Sequence, residues 1–208
     1  MDAASLLQLE LNRFKQWAAG ISPDTRSGEW ECDYPEWKRF WAAAKCLVET
    51  VPTATWTEAT TEDFVYALAR DNEVEVIADD LGSRSDALLT LAARAIHSVE
   101  TDAKWQIAAK LGDLNEHKLE AEALLIHLVQ DADEYVSRRS LLALGRLKSG
   151  KAELFAESAW QTGHEYQRIA ALWALKDVGS SKLNDYLLLA DEDGRDYVVR
   201  NATEIRAA

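Results

Sequence analysis

The chain has 208 residues, enough for one domain or a small repeat array that buries roughly 70% of its unfolded surface. Acids outnumber bases 36 to 23 and 48% of residues are apolar, yet no apolar run approaches the roughly 18 residues of a membrane span, so an acidic disordered tail and a membrane-spanning chain are both excluded. Only Pro23, Pro35 and Pro52 interrupt the chain, so its last 156 residues carry no helix-breaking ring and the fold reads as all-helical.

An amphipathic helix is predicted over 2–19, with Leu6, Leu7, Leu9, Phe14 and Trp17 on its apolar side and Gly20 as its stop. A polar loop rich in turn residues covers 20–34. Pro35 sits where a first-turn proline is tolerated and opens a helix to about Thr50, with Trp37 and Trp41 on one face. Thr60-Thr-Glu-Asp63 is a start signal of capping-box type for a helix to about Arg70. A short helix follows over 73–81, stopped by Gly82, and Ser83-Arg-Ser-Asp86 caps the next. Trp17, Trp30, Trp37, Trp41 and Trp56 crowd the N-terminal quarter. They read as core or end-cap packing, with Trp30, between Glu29 and Glu31, as an alternative exposed anchor.

From residue 87 the text is periodic. Segments beginning near 87, 123, 154 and 186 carry one helical pattern, and segments beginning near 102, 135, 166 and 197 carry a second. Tyr135, Tyr166 and Tyr197 recur every 31 residues, while Leu111-Gly-Asp-Leu and Leu144-Gly-Arg-Leu lie 33 apart. Two helical patterns per 31–33 residues mark an α-solenoid, because a lone helical hairpin cannot cover its apolar face and stacking supplies the cover.

This pattern resembles the HEAT-repeat family, in the short bacterial form similar to the repeats of phycobilin lyases. The matching elements are Leu124-Leu125 and Leu187-Leu188-Leu189 in the first helix, the acidic joints Asp131-Ala-Asp133 and Asp191-Glu-Asp193, Val136-Ser-Arg138 and Val198-Val-Arg200 at the second helix, and Ala143-Leu144 and Ala174-Leu175 within it. The resemblance implies a right-handed superhelix of about 10–12 helices across a single 1–208 domain. HEAT-like repeats would fill 85–206, with 1–84 a Trp-rich helical part of divergent repeats or cap. It also implies that second helices line the inner surface.

On those second helices Val136, Ser140, Ala143, Leu144 and Leu147, with Gln167, Ala171, Ala174, Leu175 and Val178, form the stacking stripe. The other stripe holds Tyr135, Arg139 and Leu142, then Tyr166 and Trp173, then Tyr197 and Asn201, with Asp102 and Gln106 at the equivalent places in the first unit. Tyrosine, tryptophan and arginine dominate binding hot spots, so these residues are the candidate partner surface. The competing reading packs each tyrosine ring on the preceding unit and wets only its hydroxyl. Arg138 and Arg200 are expected to tie neighbouring acidic joints together.

Charge adds to this. Residues 1–100 carry 18 acids and 9 bases, and 71–80 alone holds Asp71, Glu73, Glu75, Asp79 and Asp80. Such a field repels phosphate backbones and anionic lipid and speeds encounter with cationic proteins. Glu73, Glu75, Asp79 and Asp80 therefore join the candidate surface, although a merely solvating face has the same composition. Neither nucleic acid nor membrane is expected as partner. Cys32 and Cys46 form no C-x-x-C pair, and Cys46 reads as a small core residue. Met-Asp-Ala-Ala-Ser-Leu-Leu lacks a secretory signature, so a cytoplasmic chain, monomeric when free, is expected.

No metalloprotease, di-metal, nucleophile-elbow or phosphate-loop motif involves His97, His117, His127, His164 or the nine glycines, so no metal, cofactor or catalytic group is assigned. His127 reads as a core or inter-repeat residue. By size and charge the chain resembles the acidic bacterial immunity proteins that neutralise basic toxin domains, some of which are helical-repeat scaffolds. Alkylpurine DNA glycosylases also resemble HEAT-like arrays; that resemblance would cast Trp173, Asp177 and Arg139 around a damaged base, against the charge balance.

Overall fold

A computed structural model describes residues 1–26, 28 and 30–207. Among these residues there are twelve α-helices and no strand, and the helices pack in the repeat-like manner of an α-solenoid, the fold class read from the periodicity. The chain divides into two compact units, Met1–Ile107 and Ala108–Ala208. No helix among the described residues is long and apolar enough to cross a membrane.

The first unit contains α1 (Ala3–Ala19), α2 (Trp37–Thr50), α3 (Glu58–Arg70), α4 (Val76–Leu81), α5 (Ser85–Ala95) and most of α6 (Thr101–Leu111). Asp2 caps α1 by accepting the Ser5 N–H at 2.8 Å. Phe14 is wholly buried, and the rings of Trp17, Trp30, Tyr34, Trp37, Phe40 and Tyr66 surround it with centroids 5.1–6.5 Å away. Each tilted or edge-on pair adds about 0.5–1.5 kcal/mol to the area term, so the aromatic crowding is a core. Trp30 belongs to it, stacked on Trp17 at 5.7 Å with the Arg26 guanidinium over its ring. It is therefore no loop anchor; its neighbour Glu29 lies outside the described residues.

Several starts differ from the sequence reading, each for a local reason. α2 begins at Trp37, with Glu36 as its N-cap and Pro35 before it. α3 begins at Glu58, because the Thr57 hydroxyl accepts the Thr60 N–H at 3.1 Å ahead of the 60–63 signal. α4 begins at Val76: residues 71–75 make a turn, Glu75 takes a left-handed φ of 56°, and Arg84, not a capping serine, precedes α5. Cys46 is half-buried at the edge of α2.

The second unit holds α7 (Lys118–Leu128), α8 (Glu134–Arg146), α9 (Ala152–Gln161), α10 (Glu165–Val178), α11 (Leu183–Asp193) and α12 (Asp196–Ala207). Short polar joints fold these into three pairs, and α8 packs on α10 and α10 on α12. The predicted stacking stripe is buried from Val136 through Leu147 and from Gln167 through Leu175, with Val178 half-buried at its end. Gly112 and Gly145 permit the close approach. A Cβ on Gly112 would stand 2.7 Å from the Ala143 Cα, and one on Gly145 3.0 Å from the Ala174 Cα. His127 is exposed on α7, because its ring points off the buried Ala121–Leu125–Leu128 side.

Arg138 and Arg200 do not bridge acidic joints. Each pairs within its own helix, with Glu134 and Glu204 respectively, both at 3.1 Å, since four residues on a helix bring side chains together. The joint is served instead by Arg168 and Arg195, which both grip Asp193.

Candidate functional site

The second helices of the C-terminal unit start alike: Glu134-Tyr135, Glu165-Tyr166, Asp196-Tyr197. An acid at the first helical position suits the positive helix end, and the third residue of each trio (Val136, Gln167, Val198) is buried. The tyrosine between them is left at the margin of the core. Tyr135, Tyr166 and Tyr197 are 37%, 44% and 56% exposed, more than a wet hydroxyl accounts for.

The first two rings share one cation. The Arg138 guanidinium carbon lies 4.6 Å from the Tyr135 ring centre and 4.9 Å from that of Tyr166, while its Nε donates to Glu134 Oε1 at 3.1 Å. His164 Nδ1 lies 3.5 Å from the same carboxylate. Arg139, half-buried one residue on, places its guanidinium 5.8 Å from the Tyr135 ring, and Leu142 is half-buried on the same helix. Farther along α10, Trp173 donates its indole N–H to Asn201 Oδ1 at 2.7 Å, Asn201 Nδ2 donates to the Tyr197 carbonyl at 2.8 Å, and Lys176 covers the Trp173 ring at 4.7 Å. Trp173, Asn201 and Tyr197 thus belong to one α10–α12 surface, while the contacts of Tyr166 are with Arg138 and His164.

The remaining candidates lie in the first unit and divide. Gln106 is wholly buried, with Nε2 donating to the carbonyls of Leu68 at 2.9 Å and Asp102 at 3.0 Å. It ties α6 to α3 and presents nothing to a partner, which corrects its assignment. Asp102 is half-buried and accepts from Asn72 Nδ2 and Trp105 Nε1, each at 3.2 Å. Of the acidic stretch, Glu73 and Asp79 are exposed, Glu75 is half-buried at the start of α4, and Asp80 lies 3.4 Å from Lys45. Asp71 is only 3% exposed and accepts the Ile77 N–H at 2.8 Å and the Trp41 indole N–H at 2.9 Å. Burial pushes its carboxyl up to about 6 despite those donors. Asp71, which is not among the candidate surface residues, thus serves inside the unit, a role its acidic surroundings in the sequence do not signal.

The geometry of the second unit suits recognition. Trp173, the aromatic of the base-binding alternative, has its N–H committed to Asn201; the Asp177 carbonyl accepts from Lys148 Nζ, and Arg139 flanks Tyr135. Among the described residues no group of three histidines, cysteines or carboxylates could hold a metal ion. What sequence reasoning missed is the role of Arg138 as a filling between tyrosines; the recurrence of an acid-tyrosine pair at 134, 165 and 196 was the available signal.

No curated protein matches the chain. Residues 121–206, which run from within α7 to α12, match the family described as HEAT repeats. The match leaves out the earlier unit from residue 85 that the sequence reading included. In sequence through this match, and in structure through three stacked helix pairs, the last six helices are similar to HEAT repeats.

Proposed function

We propose that the chain is a non-catalytic protein-binding module, and more specifically an acidic inhibitor that binds and neutralises a basic effector such as a toxin domain. The observation that carries this reading is the row of exposed tyrosines at 135, 166 and 197, each preceded by a carboxylate, on regularly stacked helices. Tyrosine supplies contact area at low entropic cost, and the carboxylates select for cations. HEAT repeats generally serve protein interaction, and a formal charge of −13 favours rapid capture of a cationic protein. Tyr135, Arg139, Leu142, Tyr166, Trp173, Tyr197 and Asn201 form the contact face. Asp102, Glu73, Glu75, Asp79 and Asp80 supply the attracting field from the first unit.

The test is capture from the native cells followed by reconstitution with the purified partner and calorimetry. A basic protein bound one to one, with affinity lost on Tyr166→Ala and Tyr197→Ala, is the expected result. A neutral or acidic partner overturns the electrostatic reading. Tight binding of duplex DNA in about 50 mM salt overturns it in favour of the glycosylase-like alternative.

A further inference from the structure

The repeat that places Arg138 between two tyrosines does not supply a second such arginine. Thirty-one residues after Arg138 stands Ile169, half-buried on α10, while Tyr166, Tyr197, Glu165 and Asp196 repeat the flanking rings and carboxylates of the first gap. Arg168, next to Ile169, is engaged with Asp193 and the Trp160 carbonyl, and the basic residue that matches His164 by register is Arg195. Its Nε and Nη2 go to Asp193 at 2.6 and 2.7 Å and its Nη1 to the Gly163 carbonyl at 3.1 Å. Arg200, three residues after Tyr197 as Arg138 is after Tyr135, pairs with Glu204.

We propose that the gap between Tyr166 and Tyr197 receives an arginine side chain of the basic partner, in the manner in which Arg138 fills the gap between Tyr135 and Tyr166. This rests on the reading of the chain as a binder of a cationic protein and names the contact. The Arg138 site is the template: a guanidinium carbon 4.6 and 4.9 Å from the centres of two phenol rings, with a carboxylate on its Nε. In the second gap Glu165 and Asp196 provide the carboxylates. Both flanking residues are exposed there, Tyr166 by 44% and Tyr197 by 56%. Arginine fits better than lysine, because a planar guanidinium stacks on rings and still offers edge donors to a carboxylate.

The probe is a capped tetra-arginine peptide titrated into protein labelled on its tyrosine rings, followed by two-dimensional NMR, with a tetra-citrulline peptide as the neutral isostere. Expected are shifts of the Tyr166 and Tyr197 ring signals with arginine only. Ile169→Arg, which fills the gap from within, should weaken the peptide about fivefold, as one exposed cation–ring contact allows. Tyr197→Leu should weaken it similarly without touching the core, and Ile169→Leu should leave it unchanged. Equal shifts with citrulline, or unchanged affinity in Ile169→Arg and Tyr197→Leu alike, overturn the proposal. If those variants bind a basic protein partner as tightly as the parent chain, this contact falls while the binding function stands.

Discussion

The Cα of Ala143 lies so close to Gly112 that a Cβ there would stand 2.7 Å from it, with the Ala143 Cβ at 2.8 Å and Arg146 Nη2 at 2.9 Å. Two of those three atoms are main chain or fixed to it, so the space cannot be made by a rotamer change. Gly112→Ala should therefore cost about 1–3 kcal/mol by overpacking. Gly145→Ala is the control. Its nearest contact is 3.0 Å, and alanine's better helix propensity returns up to about 1 kcal/mol. Urea unfolding of the two variants should place Gly112→Ala clearly below Gly145→Ala; equal stabilities would show that the approach is softer than the distances say.

Asp71 makes stability depend on pH in the direction opposite to most carboxylates. Its pKa lies near 6 in the folded chain against an ordinary 3.8, so between those values the native state holds the extra proton. Stability then falls as pH rises through this window, by about 2–3 kcal/mol, and is flat above it. Asp71→Asn removes the titration. The variant loses one of the two acceptor oxygens facing Ile77 and Trp41, costing about 1–2 kcal/mol at pH 4, and it should gain on the parent chain between pH 4 and 6.5. A stability difference independent of pH would mean that the Ile77 and Trp41 donors outweigh burial.

The side chain of Asp193 is equally buried but works the other way. Its bonds to Arg195 and Arg168 hold the carboxyl well below the ordinary range. That contribution is complete above the unfolded value of about 4 and disappears as pH falls through the lower folded one. Arg168→Ala should cost about 2 kcal/mol at pH 7, where it strips a donor from a buried carboxylate. The gap between variant and parent should narrow toward pH 2. Thermal unfolding across that range checks it, and a gap that persists in acid would assign the cost to lost packing on Trp160, over which Arg168 also lies.

The helix pairs from α5 onward were legible because each second helix buries the same stripe, and a period of 31–33 residues survives any error in an individual boundary. Starts were less legible. Pro35, Thr60 and Ser83 each offered a plausible signal, but Thr57 took the cap of α3, and α2 and α5 start after Glu36 and Arg84 without any side-chain cap. Of the surface stripe, register leaves exposed and packed tyrosine rings as competing readings, and Gln106 could not be told apart from Asn201 at the equivalent place. The difference lies in tertiary partners: Gln106 reaches the Leu68 carbonyl inside the unit, while Asn201 meets Trp173 at its half-exposed margin.

Charge and rings should separate in the kinetics of partner binding. Glu73 and Asp79 are exposed in the first unit, and on the proposed reading they would raise the encounter rate over distances near the Debye length of about 8 Å at physiological salt. Glu73→Gln with Asp79→Asn should slow association severalfold at low salt, flatten its salt dependence and leave dissociation nearly unchanged. Tyr166→Ala and Tyr197→Ala remove short-range contact area and should instead speed dissociation by tenfold or more, about 1.4 kcal/mol or above, with association little altered. Surface plasmon resonance at two salt concentrations distinguishes the cases. If the acidic pair changes dissociation as much as the tyrosines do, those carboxylates sit inside the contact itself, and the assignment of the stretch as a steering field is wrong.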